Sequence, residues 1–84
     1  MAQLLFLGRL EDLAGASGMQ VPLAGAASLE AVIGQLPAQL AAALGEPRIR
    51  LAINGELVGA CREAGALMIA DGDELAFLPP VSGG

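Results

Sequence analysis

The chain has 84 residues, 55% of them hydrophobic, with Phe6 and Phe77 as its only aromatics, a net charge of −5, no His and no Lys. That length makes one domain with a thin aliphatic core. The four cations, Arg9, Arg48, Arg50 and Arg62, fall short of a nucleic acid binder's clustered basic face, and its aromatic platforms are missing too. With Cys61 the single thiol and neither His nor Lys present, the usual side-chain bases and nucleophiles are nearly gone. Any chemistry is expected to use something other than a side chain.

The apolar runs fall short of the roughly 20 residues a membrane span needs. The opening MAQLLFLGRLED lacks the basic start and long apolar stretch of a secretory signal, and a lone cysteine makes no internal disulfide. A soluble, cytoplasmic protein is expected.

In chain order, residues 3–7 alternate Leu5 and Leu7 against Leu4 and Phe6, the pattern of a strand buried on at least one face. RLEDLAG, 9–15, predicts about one helical turn stopped by Gly15, with Leu10, Leu13 and Ala14 on one side. Residues 19–23 alternate again, and Pro22 marks them as an edge strand pairing with the first. Ser28 is a good N-cap, Glu30 suits the positive helix end, and Leu29, Val32, Ile33 and Leu36 follow at helical spacing. Pro37 either breaks this helix or opens a second piece over 38–44, closed by Gly45 and Pro47. In RIRLAING, 48–55, Ile49, Leu51 and Ile53 alternate with polar or small residues, and Asn54-Gly55 predicts a hairpin into a strand at 56–58. A looser stretch leads to a short extended piece at 67–69. Asp71-Gly72 then turns the chain into a last strand, 74–78, with Leu75 and Phe77 on one face and Ala76 and Leu78 on the other.

This order predicts an α+β domain, a mixed sheet with one main helix packed on one face. One long helix joining two strand pairs resembles the ubiquitin-like β-grasp, in which first and last strands pair in parallel at the sheet centre. The expected division is a domain over 1–78 and a flexible tail over 79–84.

The tail, PPVSGG, carries its own chemistry. Pro79 and Pro80 fix φ and lack amide donors, ending the ladder and starting a stiff, extended arm. Six residues reach roughly 20 Å at full extension. Val81 gives one apolar handle, and Ser82, Gly83 and Gly84 thin the arm to little more than backbone, free until a partner orders it. The reactive group at its tip would be the α-carboxylate of Gly84, ionised and inert at neutral pH. Adenylation would give it a leaving group.

DGDELAFLPPVSGG, 71–84, resembles the C-terminal block of the small subunit of molybdopterin synthase, and LLFLGRLEDLAG, 4–15, and AINGELV, 52–58, stand where that family has its counterparts. The resemblance implies that an E1-like adenylyltransferase converts Gly84 to an acyl-adenylate and a sulfur donor protein converts that to a thiocarboxylate. The tail, Pro79, Pro80, Val81, Ser82 and Gly83, would then insert into the large subunit of a heterotetramer. There the sulfur attacks cyclic pyranopterin monophosphate, and two rounds build the dithiolene. Catalytic side chains would belong to the large subunit, this chain would bind no cofactor and no metal, and ATP would be used by the activating enzyme. The family's docking positions fall on Leu7, Leu57 and Leu78, with Phe77 beside Leu78 on the same interface. Leu78 stands where an aromatic is common, and Ser82 where Thr is common.

Three other readings stay open: a sulfur carrier for thiamine biosynthesis, which also ends in Gly-Gly; a ubiquitin-like modifier joined to target lysines through Gly84; and a plain interaction module whose tail is a docking peptide. Asp71, Asp73 and Glu74 are expected to be a turn with solvated acids, since the rest of a calcium loop is absent. Cys61 is expected to be a passive thiol. Arg9, Arg48 and Arg50 are read as a solvated face that could also pair with partner carboxylates.

Overall fold

The computed structural model describes residues 1–80. The period-two run at the start of the chain forms β1 (Ala2–Phe6), with Ala2, Leu4 and Phe6 buried and Gln3 and Leu5 half-buried. Gly8 turns the chain into α1 (Arg9–Ala14), which ends at Gly15 in the left-handed region, φ 75°, its amide donating to the Glu11 carbonyl. Leu10 is buried as expected, but Leu13 is 47% exposed. Leu10 and, in part, Ala14 take the core side of this helix.

β2 (Gly18–Val21) runs antiparallel to β1 at the sheet edge. The helical stretch that follows is two helices rather than one long one: α2 (Leu29–Ile33) and α3 (Ala38–Leu44). Between them the bonds tighten to three-residue steps, Gln35 to Val32 and Leu36 to Ile33, and Pro37 is extended with ψ 145°. A residue before proline is pushed out of helical geometry, and proline supplies no amide to carry the ladder across. Leu29, Val32, Leu36, Leu40 and Leu44 nevertheless stay buried, because both pieces lay their apolar stripe on the same core.

β4 (Arg50–Ile53) and β5 (Glu56–Ala60) form the expected hairpin, with Asn54 at φ 51° and Gly55 at φ 86° filling its two-residue turn. The pairing shifts by one residue between Leu51/Gly59 and Ala52/Leu57. Val58 is the extra residue of that bulge. A single 3-10 turn, Cys61–Glu63, follows.

Two short strands remain, the first with no periodicity to signal it and the second within the extended piece expected at 67–69. β3 (Ala27–Ser28) and β6 (Met68–Ile69) pair antiparallel as a separate two-stranded ladder. This ladder stitches the start of α2 to the loop after β5. The Leu29 and Glu30 amides donate to the Leu67 and Gly65 carbonyls, and the Ala31 amide donates to the Ser28 hydroxyl at 3.1 Å, so the helix opens with its amides satisfied.

β7 (Glu74–Leu78) completes the main sheet in the order β2-β1-β7-β4-β5. It pairs parallel with β1 and antiparallel with β4, so the first and last strands lie side by side at the centre. Leu4 faces Leu75, and Phe6 faces Phe77 with ring centroids 5.6 Å apart and an interplanar angle of 14°. Those side chains, with Leu51, join the helices' leucines in one apolar core. Leu5, Ala52, Ala76 and Leu78 take the opposite, helix-free face through the same registers. This is a ubiquitin-like β-grasp. Among the described residues no helix is long and apolar enough to cross a membrane.

Candidate functional site: the exit of the last strand

Leu78 ends β7 between the far end of β1 and the first residue of β4, so the chain leaves the sheet from its middle rather than an edge. The Leu7 amide donates to the Phe77 carbonyl at 3.2 Å, and Arg50 is the register partner of Leu78. Pro79 is half-buried and Pro80 exposed. Val81, Ser82, Gly83 and Gly84, which carry the expected tail insertion and the reactive end, lie outside the described residues.

Around the exit the predicted interface residues separate. Leu7 is 43% exposed, Leu57 69% exposed and Leu78 half-buried. Leu57 pairs with Ala52, whose partner in β7 is Ala76, so Leu57 stands on the same helix-free face as Leu78. Phe77 is different. It is fully buried against Phe6, which corrects its place on the interface: strand alternation sends its ring to the core while its neighbour Leu78 faces out. Its part in the site is to fix the strand from which the tail departs.

One residue at the exit has no sequence signal beyond being glycine. Gly8 has φ 57° and ψ −135°, a region that residues with a Cβ rarely enter, and a Cβ placed there would meet Pro79 Cγ at 3.0 Å. The missing side chain at Gly8 is the seat on which Pro79 rests. Arg48 and Arg50 also reach the exit, where they border a groove with Leu57, Leu78, Pro79 and Pro80.

The other chemistry-bearing side chains are structural. Asp73 accepts from the Ala70 amide at 2.8 Å and from the Asn54 side-chain amide at 3.0 Å, and these bonds hold its carboxyl below the usual carboxylate range. The Glu74 amide donates to Asn54 Oδ1 at 2.9 Å, so the two turns are clipped together. Asp71 pairs with the Met1 amine. Among the described residues no group of three or more His, Cys, Asp or Glu is arranged to hold a metal ion. Cys61 is 1% exposed, and burial pushes its thiol up to about 11. At neutral pH it is a protonated packing residue.

The family model described as ThiS family matches residues 4–84. Among solved structures, the chain is similar to small archaeal modifier protein 1 of Haloferax volcanii, at 27% identity and a TM-score of 0.70 over 99% of this chain and 98% of that one. It is also similar to small archaeal modifier protein 1 of Methanosarcina acetivorans, at 24% identity and a TM-score of 0.71, covering 99% and 95%. A Pyrococcus furiosus protein assigned as molybdopterin converting factor, subunit 1, gives 20% identity and a TM-score of 0.67, covering 95% and 97%. The last two comparisons bear on fold alone. No curated protein matches the chain significantly.

Proposed function

From the chain's membership of the ThiS family, a family of ubiquitin-like sulfur carriers and modifiers, we propose that it is the sulfur-carrying small subunit of a molybdopterin synthase, with the carboxylate of Gly84 as its chemical group. The observation that carries the reading is the central, parallel pairing of β7 with β1. Together with the ladder to β4, it sets Leu78 at the middle of the sheet's end, so the chain beyond it starts from a defined point. A thin arm reaching roughly 20 Å suits delivery of its tip into another protein's channel.

In this reading a carboxylate oxygen of Gly84 attacks the α-phosphorus of ATP on an E1-like adenylyltransferase, and pyrophosphate leaves. A sulfide-level sulfur nucleophile from a donor protein then attacks the terminal carbonyl carbon. AMP departs with the bonding pair, leaving a thiocarboxylate. In the large subunit of a heterotetramer that sulfur bonds to a carbon of cyclic pyranopterin monophosphate as an oxygen leaving group departs from it, and water then cleaves the resulting thioester, returning the Gly84 carboxylate and leaving the sulfur on the pterin as a thiol. With no His and no Lys in the 84 residues, proton transfers in each step fall to the partners. This chain binds no cofactor itself and acts in the cytoplasm as a protein co-substrate.

Intact mass spectrometry of the chain from cells making the cofactor tests the reading: one oxygen is expected to be replaced by one sulfur at the terminus. An unmodified terminus in cells with full cofactor production overturns it. The likeness to small archaeal modifier protein 1 supports a second reading, in which Gly84 is joined to lysines of other proteins. That reading requires branched peptides ending in the chain's own Ser-Gly-Gly on target lysines. With no Lys here, such attachment would stop at one unit per site through side chains.

A further inference from the structure

The turn between β4 and β5 is Asn54-Gly55, and both residues are exposed. That dipeptide carries chemistry of its own, because glycine has no side chain to shield its amide nitrogen from the carbonyl carbon of the asparagine side chain. A Cβ at Gly55 would meet nothing within 4 Å, so the nitrogen is open to solvent as well. Burial does not protect this pair. Hydrogen bonds hold Asn54 instead. Its side-chain amide donates to Asp73 Oδ1 at 3.0 Å, its Oδ1 accepts from the Glu74 amide at 2.9 Å, and its backbone amide donates to the Glu74 carbonyl at 2.8 Å. Asp73 is anchored in turn, its other carboxylate oxygen accepting from the Ala70 amide at 2.8 Å and its carbonyl from the Gln3 amide at 2.9 Å.

We propose that Asn54 is a latent site of spontaneous modification, and that the clip to Asp73 and Glu74 keeps it from reacting in the folded chain. In the reaction the Gly55 amide nitrogen bonds to Asn54 Cγ and the bond from Cγ to Nδ2 breaks. Ammonia leaves, carrying the proton that the Gly55 nitrogen gave up, and a cyclic imide remains. Water then opens the imide at one of its two carbonyls. Opening at Cγ leaves aspartate, and opening at the backbone carbonyl leaves isoaspartate, whose main chain runs through the former side chain. Closure requires the Asn54 side chain to swing onto its own backbone, so both of its bonds across to Asp73 and Glu74 must break first.

The change is one-way at the clip. The amide that donated to Asp73 is gone, and a carboxylate stands opposite a carboxylate whose own hydrogen bonds keep it ionised. Like charges with no proton between them do not rebuild the bond. Isoaspartate also lengthens a two-residue turn that sets the register of β4 on β5. The site lies at the end of the sheet where Ile53 pairs with Leu75, away from the Leu78 exit, so the modification marks the fold and not the tail. It stands apart from the reading of Gly84.

The experiment incubates the full chain at mildly alkaline pH, folded in buffer or unfolded in guanidinium chloride. It follows the tryptic peptide 51–62, cut after Arg50 and Arg62, by mass and by methyl transfer from an isoaspartate-specific methyltransferase. The Asp71-Gly72 pair falls outside that peptide. The unfolded chain is expected to convert about 10-fold faster than the folded one, or more. Asp73→Ala should speed conversion of the folded chain by about 10-fold, and Asp73→Asn, which keeps an acceptor oxygen, by less. Ser28→Ala measures general loosening, because that cap shares no bond with the clip. A folded native chain that converts at the unfolded rate overturns the proposal. So does Asp73→Ala converting no faster than Ser28→Ala when both are held equally far below their midpoints, or an unfolded chain that shows no conversion in 51–62. Asn54→Asp, the product of the reaction, should melt about 4 °C or more below the native chain, and an equal midpoint overturns the one-way loss of the clip.

Discussion

Cys61 shows how burial settles reactivity at one residue. Its thiol, pushed up to about 11 from an ordinary 9.0 by desolvation, holds about one thiolate per thousand molecules at pH 8. Folded protein should resist alkylation by iodoacetamide at that pH and react once denatured, and rapid labelling of the folded chain would contradict the burial. The sign of the pH effect follows. The folded state keeps a proton that the unfolded state releases above pH 9, so this contribution to stability is complete below that pH and is lost as pH rises toward 11. Gly8 is the second decisive residue. Gly8→Ala must force a side chain into a region costing about 1–3 kcal/mol while pressing on Pro79 at 3.0 Å. The expected result is a lower thermal midpoint and a raised KM for the chain in an ATP–pyrophosphate exchange assay with its proposed activating enzyme. An unchanged midpoint would mean that the corner between β1 and α1 yields more readily than its dihedrals imply.

At the scale of elements, the strands were legible wherever four or five residues alternated, and Asn54-Gly55 placed the β4–β5 turn to the residue. Periodicity failed where elements are too short to have any. The β3–β6 ladder has two residues a strand, and only its position, between the cap of α2 and the loop that closes on it, explains it. The Ser28 cap was legible because its oxygen does one local thing, accepting the Ala31 amide. Ser28→Ala should therefore cost about 1 kcal/mol, read from urea denaturation with an unchanged m-value. A loss near zero would show that the Leu67 and Gly65 carbonyls hold that helix start by themselves. Pro37 left two outcomes open in the sequence. The structure selects two helices, because Pro37 itself is extended and the turn before it has already tightened.

For the whole molecule, the sheet order was the part least available from residues alone, since parallel pairing of β1 with β7 joins segments about seventy positions apart. It entered through a resemblance, and the registers now supply the physical content. The site was legible in part for a related reason. Alternation separated Leu78 from Phe77 correctly, whereas adjacency to Leu78 wrongly placed Phe77 on the interface. The geometry of Gly8 has no signature in composition or period. Because the core among the described residues ends at Phe77, deleting Gly84 is expected to leave the thermal midpoint unchanged and to abolish sulfur transfer in a reconstituted synthase assay. Retained transfer would remove Gly84 from the chemistry.

The central position of β7 has a mechanical side. A partner that tugs on the proline arm pulls along the axis of a strand bonded on both flanks, to β1 on one and β4 on the other. Ladder bonds lie across the strand direction, so that load falls on both rows at once as shear. An edge strand under the same force would peel one bond at a time. Under the proposed function, a partner drawing on the chain beyond Leu78 would load both flanking ladders of β7 together, as a rope is safest when anchored in the middle of the deck.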